Sequence, residues 1–341
     1  MSSIAAPKEA PKSSAPHIFA AGVGITPLPP IDANASSILR PTIAIISMGE
    51  MGLGIASLLV KYSYPVITNL DGRSSSTKAR AEAAGVKNVP FDQMLSQASI
   101  VLSVLPPGEA LALAEKAAAS LLFSPLSRYG KGKLVYIDLN AISPSLSRQA
   151  SAPILDAGMT FIDGCVLAYP PKEMPDGSWF RPSIPLSGPA LSSAIPEPWS
   201  SELTSLLNFR HVSPDIGAAS GLKMCFAAIN KGQTAIVIQA YTTASNLGVL
   251  DSVREHMAEY FPHVVNGMEG AMVGSQRKAY RWIKEMEEIE ECFVTEGGWN
   301  RGIFEGVAGV FKVVKGCEVQ SGVEGMVKSV CGGLKARRKS C

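Results

Sequence analysis

The residues that most constrain this chain run Ile43-Ala-Ile-Ile-Ser47-Met48-Gly49-Glu50-Met51-Gly52-Leu-Gly54-Ile-Ala-Ser-Leu-Leu59. Four apolar residues suited to a buried strand enter a small-residue turn, and an apolar helix-like segment follows without a gap. This order is what a bound dinucleotide requires. Glycine lets the backbone approach a pyrophosphate, and the free N–H groups and dipole of the helix start can hold its charge. The full fingerprint reads G-x-G-x-x-G; here Ser47 takes the first position, ahead of Gly49 and Gly52. The turn assigns Ser47, Met48, Gly49, Glu50, Met51 and Gly52 to a cofactor.

Beyond this turn the chain alternates strand and helix in the rhythm of a doubly wound sheet. Residues 65–70 read as a second strand, ending in Asp71-Gly-Arg73-Ser74-Ser-Ser-Thr77. The end of the second strand is where such a domain meets the adenosine ribose: an acid there bonds the 2′-hydroxyl of NAD, and an arginine among hydroxyls suits the 2′-phosphate of NADP. Asp71, Arg73 and Ser74 therefore predict NADP, with NAD as the second fit. A helix near 77–84, a strand at 98–105 stopped by Pro106-Pro107, a helix at 109–122 and a strand at 134–139 continue the alternation. A short helix from Pro144, bent or ended at Pro153, leads to a strand at 159–163. Ligands bind beyond the carboxyl ends of such strands, which places Leu105, Pro106 and Asn140 beside the nicotinamide.

Residues 164–183 hold four prolines and read as a long packed loop, since its bulky residues Tyr169, Met174, Trp179 and Phe180 favour packing. Short strands at 184–188 and 209–212 flank a helix. From residue 218 the period becomes helical, and 218–245 is apolar almost all round, a buried helix of about 42 Å at 1.5 Å per residue. Further helices are expected at 251–261, at 268–293 with Lys284 to Glu291 as a solvent face, and at 304–315. The fold class is α/β: an N-terminal doubly wound parallel (Rossmann) sheet with a C-terminal all-helical domain. The expected divisions are a flexible leader at 1–40, an NADP-binding domain at 41–213, a helical substrate and dimerisation domain at 214–333, and a basic tail at 334–341. The helices after the long one are too few to cover it, which predicts a homodimer.

Composition excludes several classes. Charged residues are 18% of 341 and the net charge is +2, with Lys335-Ala-Arg-Arg-Lys339 as the basic cluster, so neither nucleic acid nor an acidic partner is indicated. The six cysteines are scattered singly, without metal-ligand spacing, which reads as a reduced, cytoplasmic protein with no metal. The long apolar run at 227–244 is interrupted by Asn230, Lys231 and Gln233, so no membrane span is expected. The Ser, Ala and Pro-rich start lacks a compact apolar signal-peptide core.

The order of a G-x-M-G turn, an Asp/Arg-Ser ribose site, a Leu-Pro turn and Gly217-Ala-Ala-Ser-Gly-Leu-Lys223 ahead of a helical half resembles the β-hydroxyacid dehydrogenase and 6-phosphogluconate dehydrogenase superfamily. More narrowly it is similar to the phosphogluconate-dehydrogenase-like branch with a divergent C-terminal domain. The resemblance covers about residues 41–315. It implies cofactor contacts at Ser47, Gly49, Met51 and Gly52, a 2′-phosphate arginine at Arg73, a nicotinamide loop at Leu105 and Pro106, and a catalytic lysine at Lys223. Two departures stand out. The family's D-x-P-V-S-G-G appears as Asp163-Gly-Cys-Val-Leu167-Ala168-Tyr169, and the asparagine four residues after the lysine is Ala227.

Lys223, a lone lysine among Leu222, Met224, Cys225 and Phe226 on a helix expected to be buried, is the candidate for proton exchange with a carbonyl oxygen. Asn230, seven residues on and about 20° from the same helical face, is the candidate to replace the missing asparagine. Leu167 and Tyr169 predict a small-molecule substrate larger or less polar than a short hydroxy acid, and Lys231 is a further substrate candidate. Asp163 and Ser143 read as loop residues. The expected activity is NADP-dependent hydride transfer between nicotinamide and a carbonyl/alcohol. The alternatives are an imine/amine reductase on the same scaffold and a catalytically silent dinucleotide-binding protein.

Overall fold

The structure, a computed structural model, describes residues 25–26, 40–123 and 132–340. Its centre is an eight-stranded sheet built from β2 (Ile43–Ile46), β3 (Val66–Thr68), β4 (Lys87–Asn88), β5 (Ile100–Ser103), β6 (Val135–Asp138), β7 (Thr160–Gly164), β10 (Ile184–Ser187) and β11 (Phe209–Ser213), in the order β11-β10-β7-β6-β5-β2-β3-β4. The strands from β7 to β4 are parallel. Residues of β2, β5 and β6 are buried throughout, as strands covered by helices on both faces must be, and for that reason they read as apolar runs, broken only where Ser103 and Asp138 end β5 and β6. The order reverses between β2 and β5, so the turn after β2 and the Leu105 turn after β5 flank the crevice where a doubly wound sheet takes its ligand.

The sheet is mixed where a parallel one was expected: β10 runs antiparallel to β7 and carries β11 parallel beside it. The loop 164–183 allows this reversal, since it returns the chain without a crossover helix. Within that loop lie β8 (Lys172–Glu173) and β9 (Trp179–Phe180), which form a three-stranded sheet with β1 (Ile25–Thr26) from the expected leader. The rest of residues 1–39 lies outside the described residues. This small sheet packs on the helix Glu50–Lys61. A Cβ on Gly54 would lie 2.6 Å from Pro171 O, Lys61 pairs with Glu173, and the Lys61 ammonium stands 5.9 Å from the centre of the Trp179 ring.

In the second half, the helix Ala218–Leu247 is the axis on which the helices Leu250–Tyr260, Pro262–Ser275, Ala279–Thr295, Ile303–Lys315 and Gly322–Ser340 pack. Three expectations are corrected here. The span 268–293 is two helices, broken where the buried Ser275 hydroxyl bonds back to Met272 O at 2.6 Å and Lys278 N–H turns to Ser275 O. The stretch 334–340 belongs to the helix Gly322–Ser340: Leu334 packs on the core and Arg337 donates to Lys312 O. Pro153 stays inside the helix Pro144–Asp156, where it costs the bond its N–H would have made to the preceding turn but leaves only the last turn beyond it.

On the long helix one row remains uncovered: Phe226, Ile229, Ile236 and Leu247 are exposed. Among the described residues no helix is long and apolar enough to cross a membrane, and no group of three or more His, Cys, Asp or Glu side chains could hold a metal.

Candidate functional site

At the turn after β2 the two glycines do different work. A Cβ on Gly52 would lie 1.9 Å from Ser47 O, so the helix can approach the turn only with glycine there. A Cβ on Gly49 would meet nothing nearer than Ser47 Oγ at 3.9 Å, which leaves that side open to a ligand. Gly49 is also the N-cap of the helix Glu50–Lys61, whose first N–H groups lack partners within the helix. Ser47 has φ 85°, the left-handed conformation that glycine adopts at the first fingerprint position. Met48 is corrected: its side chain is 2% exposed and belongs to the sheet core, so only its backbone can serve a cofactor. Met51 also packs against that core, and Glu50 is exposed.

A cleft of about 360 Å³ opens beside this turn, with Ser47, Asp71, Arg73 and Leu105 in its lining. Asn69, Phe91, Glu109 and Lys116 also line it, residues that the sequence reading did not single out for a cofactor. Asp71 Oδ2 accepts a 2.8 Å bond from Asn69 Nδ2. The Arg73 side chain is exposed and has no carboxylate within ion-pair distance among the described residues. Ser74 is the N-cap of the helix Ser75–Ala83, accepting from Thr77 N at 3.3 Å and sharing hydroxyl bonds with Ser76 and Thr77. Capping therefore occupies part of the hydroxyl cluster expected to form a phosphate site.

Asn140 does not reach a cofactor directly. It is 1% exposed, donates to Ser103 Oγ at 2.8 Å, and accepts from Leu105 N–H, so it ties the loop after β6 to the Leu105–Pro106 turn. Its own N–H donates to Asp138 Oδ1 at 2.8 Å. Burial pushes the Asp138 carboxyl from 3.8 up to about 7, opposed by the Asn140 N–H bond and reinforced by the nearby Asp163 charge. Because the folded value is the raised one, the native state binds the extra proton. Stability from this group is complete below about 4 and is lost as pH rises through about 7. Asp138→Asn should thus stabilise the protein by about 2 kcal/mol or more at pH 8 and by little at pH 4. Urea unfolding at both pH values measures this; equal effects at both would remove the assignment.

Asp163, read from sequence as a loop residue, is the buried joint between the domains. Its carboxylate accepts five bonds: from Ser147 Oγ (2.8 Å), Ser187 Oγ (2.8 Å), Gly217 N (3.1 Å), Ser220 N (3.0 Å) and Ser220 Oγ (2.6 Å). Gly217 and Ser220 begin the long helix, so a negative group sits on its N-terminus. One turn further on, the half-buried Lys223 donates from Nζ to Val166 O at 2.8 Å. Leu167 and Ala168 follow Val166, and Ala168 takes φ 77° at a position where the family pattern has glycine. Tyr169 lies beneath the Lys278 ammonium, 5.0 Å from its ring centre.

Lys231 is drawn into the protein, while Asn230 stays exposed two turns along the helix from Lys223, about 20° from the same face. Lys231 pairs with Glu285 and faces the Trp282 ring at 5.1 Å. Burial lowers Lys231 to about 8, partly opposed by Glu285 and reinforced by Lys223. Burial alone would raise Glu285, but Lys231, Lys223 and Arg281 together hold it below its usual range. Glu285, Glu288 and Glu290 are all buried, which corrects the solvent face expected at 284–291. Glu288 accepts from Ser143 N, and Glu290 caps the helix Ile303–Lys315 by accepting from Gly302 N and Phe304 N.

Comparisons with known proteins agree with this architecture. A family described as a domain of unknown function (DUF1932) matches residues 244–314, within the helical half. An uncharacterized 28.5 kDa protein in the 7S RNA 5′ region of Methanothermus fervidus is 25% identical over 259 residues, 74% of this chain and 91% of that protein. A conserved protein of unknown function, whose structure is similar to 3-hydroxyacid dehydrogenases, aligns with TM-score 0.59 at 24% identity over 81% of this chain and 97% of its own. Mycobacterium tuberculosis 3-hydroxyisobutyrate dehydrogenase, solved with L-serine, aligns with TM-score 0.60 at 15% identity over 85% of this chain and 99% of its own. The fold is that of the 3-hydroxyacid dehydrogenases, and the resemblance to a divergent β-hydroxyacid dehydrogenase-like family is borne out at that level.

Proposed function

We propose that this chain is an NADP-dependent oxidoreductase that moves hydride between nicotinamide and a carbonyl/alcohol substrate, with Lys223 as the proton donor or acceptor. The observation that carries the reading is the position of Lys223. Its ammonium stands at the carboxyl end of β7, on the first turns of the helix that joins the domains, where Asp163 anchors both sides. The residues present fit the cofactor: Gly49 leaves room for a pyrophosphate, Gly52 permits the turn, and the cleft beside Arg73 and Asp71 suits an adenosine ribose. Arg73, with no carboxylate partner among the described residues, favours a 2′-phosphate and hence NADP over NAD. When bound, the nicotinamide supplies or accepts the hydride.

Lys223 then gives a proton to the carbonyl oxygen during reduction and recovers one from it during oxidation. Val166 O holds the ammonium in place until a substrate oxygen replaces it. Leu167 and Tyr169 follow the Val166 carbonyl and would shape the substrate end, with Lys231, which feels the Lys223 charge, as a further substrate contact. The reading includes a homodimer formed through the exposed row Phe226, Ile229, Ile236 and Leu247, a surface whose apolar area would be removed from water by a second copy.

Lys223→Met should lower NADPH-dependent reduction of a carbonyl panel by about 10²–10⁴-fold while NADPH affinity, read by fluorescence titration, stays within a few-fold. Full turnover in that variant would remove Lys223 from the mechanism. Tight NADPH binding by the parent with no oxidation across carbonyl and imine panels would favour the silent dinucleotide-binding protein instead, a reading motivated by the buried Ala227 where the family pattern has asparagine.

A further inference from the structure

We infer that Asn140 is a positioning residue for the dinucleotide: anchored on protonated Asp138, it holds segment 105–109 in the shape that walls the cleft, and ionisation of Asp138 undoes that hold and weakens binding. The inference rests on the cofactor reading above and adds its control by pH. Hydrogen bonds trace the connection from the interior to the cleft. Leu105, Gly108 and Glu109 line the cleft together with Ser47, Asp71 and Arg73. The Leu105 N–H donates to Asn140 Oδ1. Asn140 in turn donates from Nδ2 to Ser103 Oγ at 2.8 Å and from its main-chain N–H to Asp138 Oδ1 at 2.8 Å. Ser103, Asp138 and Asn140 are all buried, so one side chain ties β5, the end of β6 and the wall of the cleft together inside the protein.

The carboxyl at the inner end of this chain of bonds is poorly held as an anion. Ser103, Asp138 and Asp163 end β5, β6 and β7 side by side in register. Asp163 has five donors; Asp138 has the Asn140 N–H on Oδ1, while its Oδ2 is enclosed with no hydrogen-bond partner among the described residues. No lysine, arginine or histidine pairs with Asp138 among those residues. The charged group that faces it is Asp163 on β7; β5 presents the Ser103 hydroxyl, and the Tyr136 phenol on β6 is kept neutral by burial and by Asp138 itself. Desolvation and the adjoining negative charge both favour the neutral acid, in keeping with its rise to about 7. Once ionised, the carboxylate needs donors, because a buried charge without them is costly. Those the network holds beside it are the Asn140 amide and the Ser103 hydroxyl. Turning either toward the carboxylate disturbs the arrangement that presents Asn140 Oδ1 to Leu105. The form that binds well carries the proton, so affinity is complete below about 7 and falls as pH rises beyond it.

The test reads binding and needs no turnover. Full-length protein is titrated with NADPH, followed by its fluorescence, at pH 7 and at pH 9. The 2′-phosphate of this probe, with a second ionisation near about 6, is already dianionic at both values. The parent should bind at least about tenfold more weakly at pH 9, within what the loss of one proton over that range permits. Asp138→Asn, whose side chain is neutral throughout, should bind within about threefold of the same affinity at both. Asn140→Ala leaves the Leu105 N–H without its acceptor; it should bind about tenfold more weakly at pH 7 and lose little more at pH 9. A merely structural role would shift the melting temperature and leave the pH course of affinity as in the parent. Parent affinity that does not fall by pH 9, a fall that persists in Asp138→Asn, or parent-like binding by Asn140→Ala overturns the inference and leaves the cofactor reading standing. If Asn140→Ala does not fold, the parent and Asp138→Asn decide between them. No NADPH binding at either pH would overturn the cofactor reading too.

Discussion

Gly52→Ala is expected to abolish dinucleotide binding and to destabilise the sheet domain by about 3 kcal/mol or more, the upper range for forcing extra volume into a packed site. The added carbon would lie 1.9 Å from Ser47 O, a backbone atom, so no rotamer change can relieve the contact. Either the turn opens or the helix Glu50–Lys61 slides away from the strand ends. Gly49→Val provides the contrast. Its nearest neighbour is 3.9 Å away, so the variant should fold with a melting temperature close to that of the parent, yet lose at least about 100-fold in NADP affinity because the side chain fills the approach to the turn. Thermal unfolding and fluorescence titration together separate the two effects. Parent-like NADP binding by both variants would mean that this turn does not hold the cofactor.

Asp163→Ala should have the largest effect on stability of any single polar substitution at the site. Five donors, two of them main-chain N–H groups at the start of the long helix, would lose their acceptor in an interior where water cannot replace it. Buried donors left unpaired cost about 1–3 kcal/mol each, and local relaxation shares that loss, so a total of about 3–5 kcal/mol is expected. Urea unfolding should also show a broadened or biphasic transition, because the residue joins β7 to both the helix Pro144–Asp156 and the helical half. A loss under about 1 kcal/mol with a single sharp transition would show that the junction does not depend on this carboxylate.

The sheet was legible in the sequence for a simple reason: parallel strands buried on both faces are written as apolar runs, and β2, β5 and β6 are such runs. The turn was legible because backbone geometry allows only glycine at Gly52, while Gly49 keeps open the side on which a ligand would approach. The helical side of the site was not. The acids between 284 and 291 look like a solvated face until the helix start at Gly302 and the lysine at 231 are placed opposite them, and pairing across that distance leaves no local pattern. Asn140 has the chemistry of a cofactor contact, and only its burial shows that it spans two loops instead. Asn230 was placed by angle along one helix, but which face of that helix is covered depends on the other helices. Strands of two residues, as in β8 and β9, are too short to have a period.

The small sheet of β1, β8 and β9 bears on the order in which ligands arrive. Through Pro171 on Gly54 and Glu173 on Lys61 it grips the helix whose first turn would meet the dinucleotide, and the same loop begins at Leu167 and Tyr169. A dinucleotide that settles the helix therefore also settles the wall against which a substrate must lean. The expected outcome for the proposed activity is a compulsory order, cofactor on first and off last, which product inhibition competitive between the two forms of the nucleotide would show and a random-order pattern would overturn.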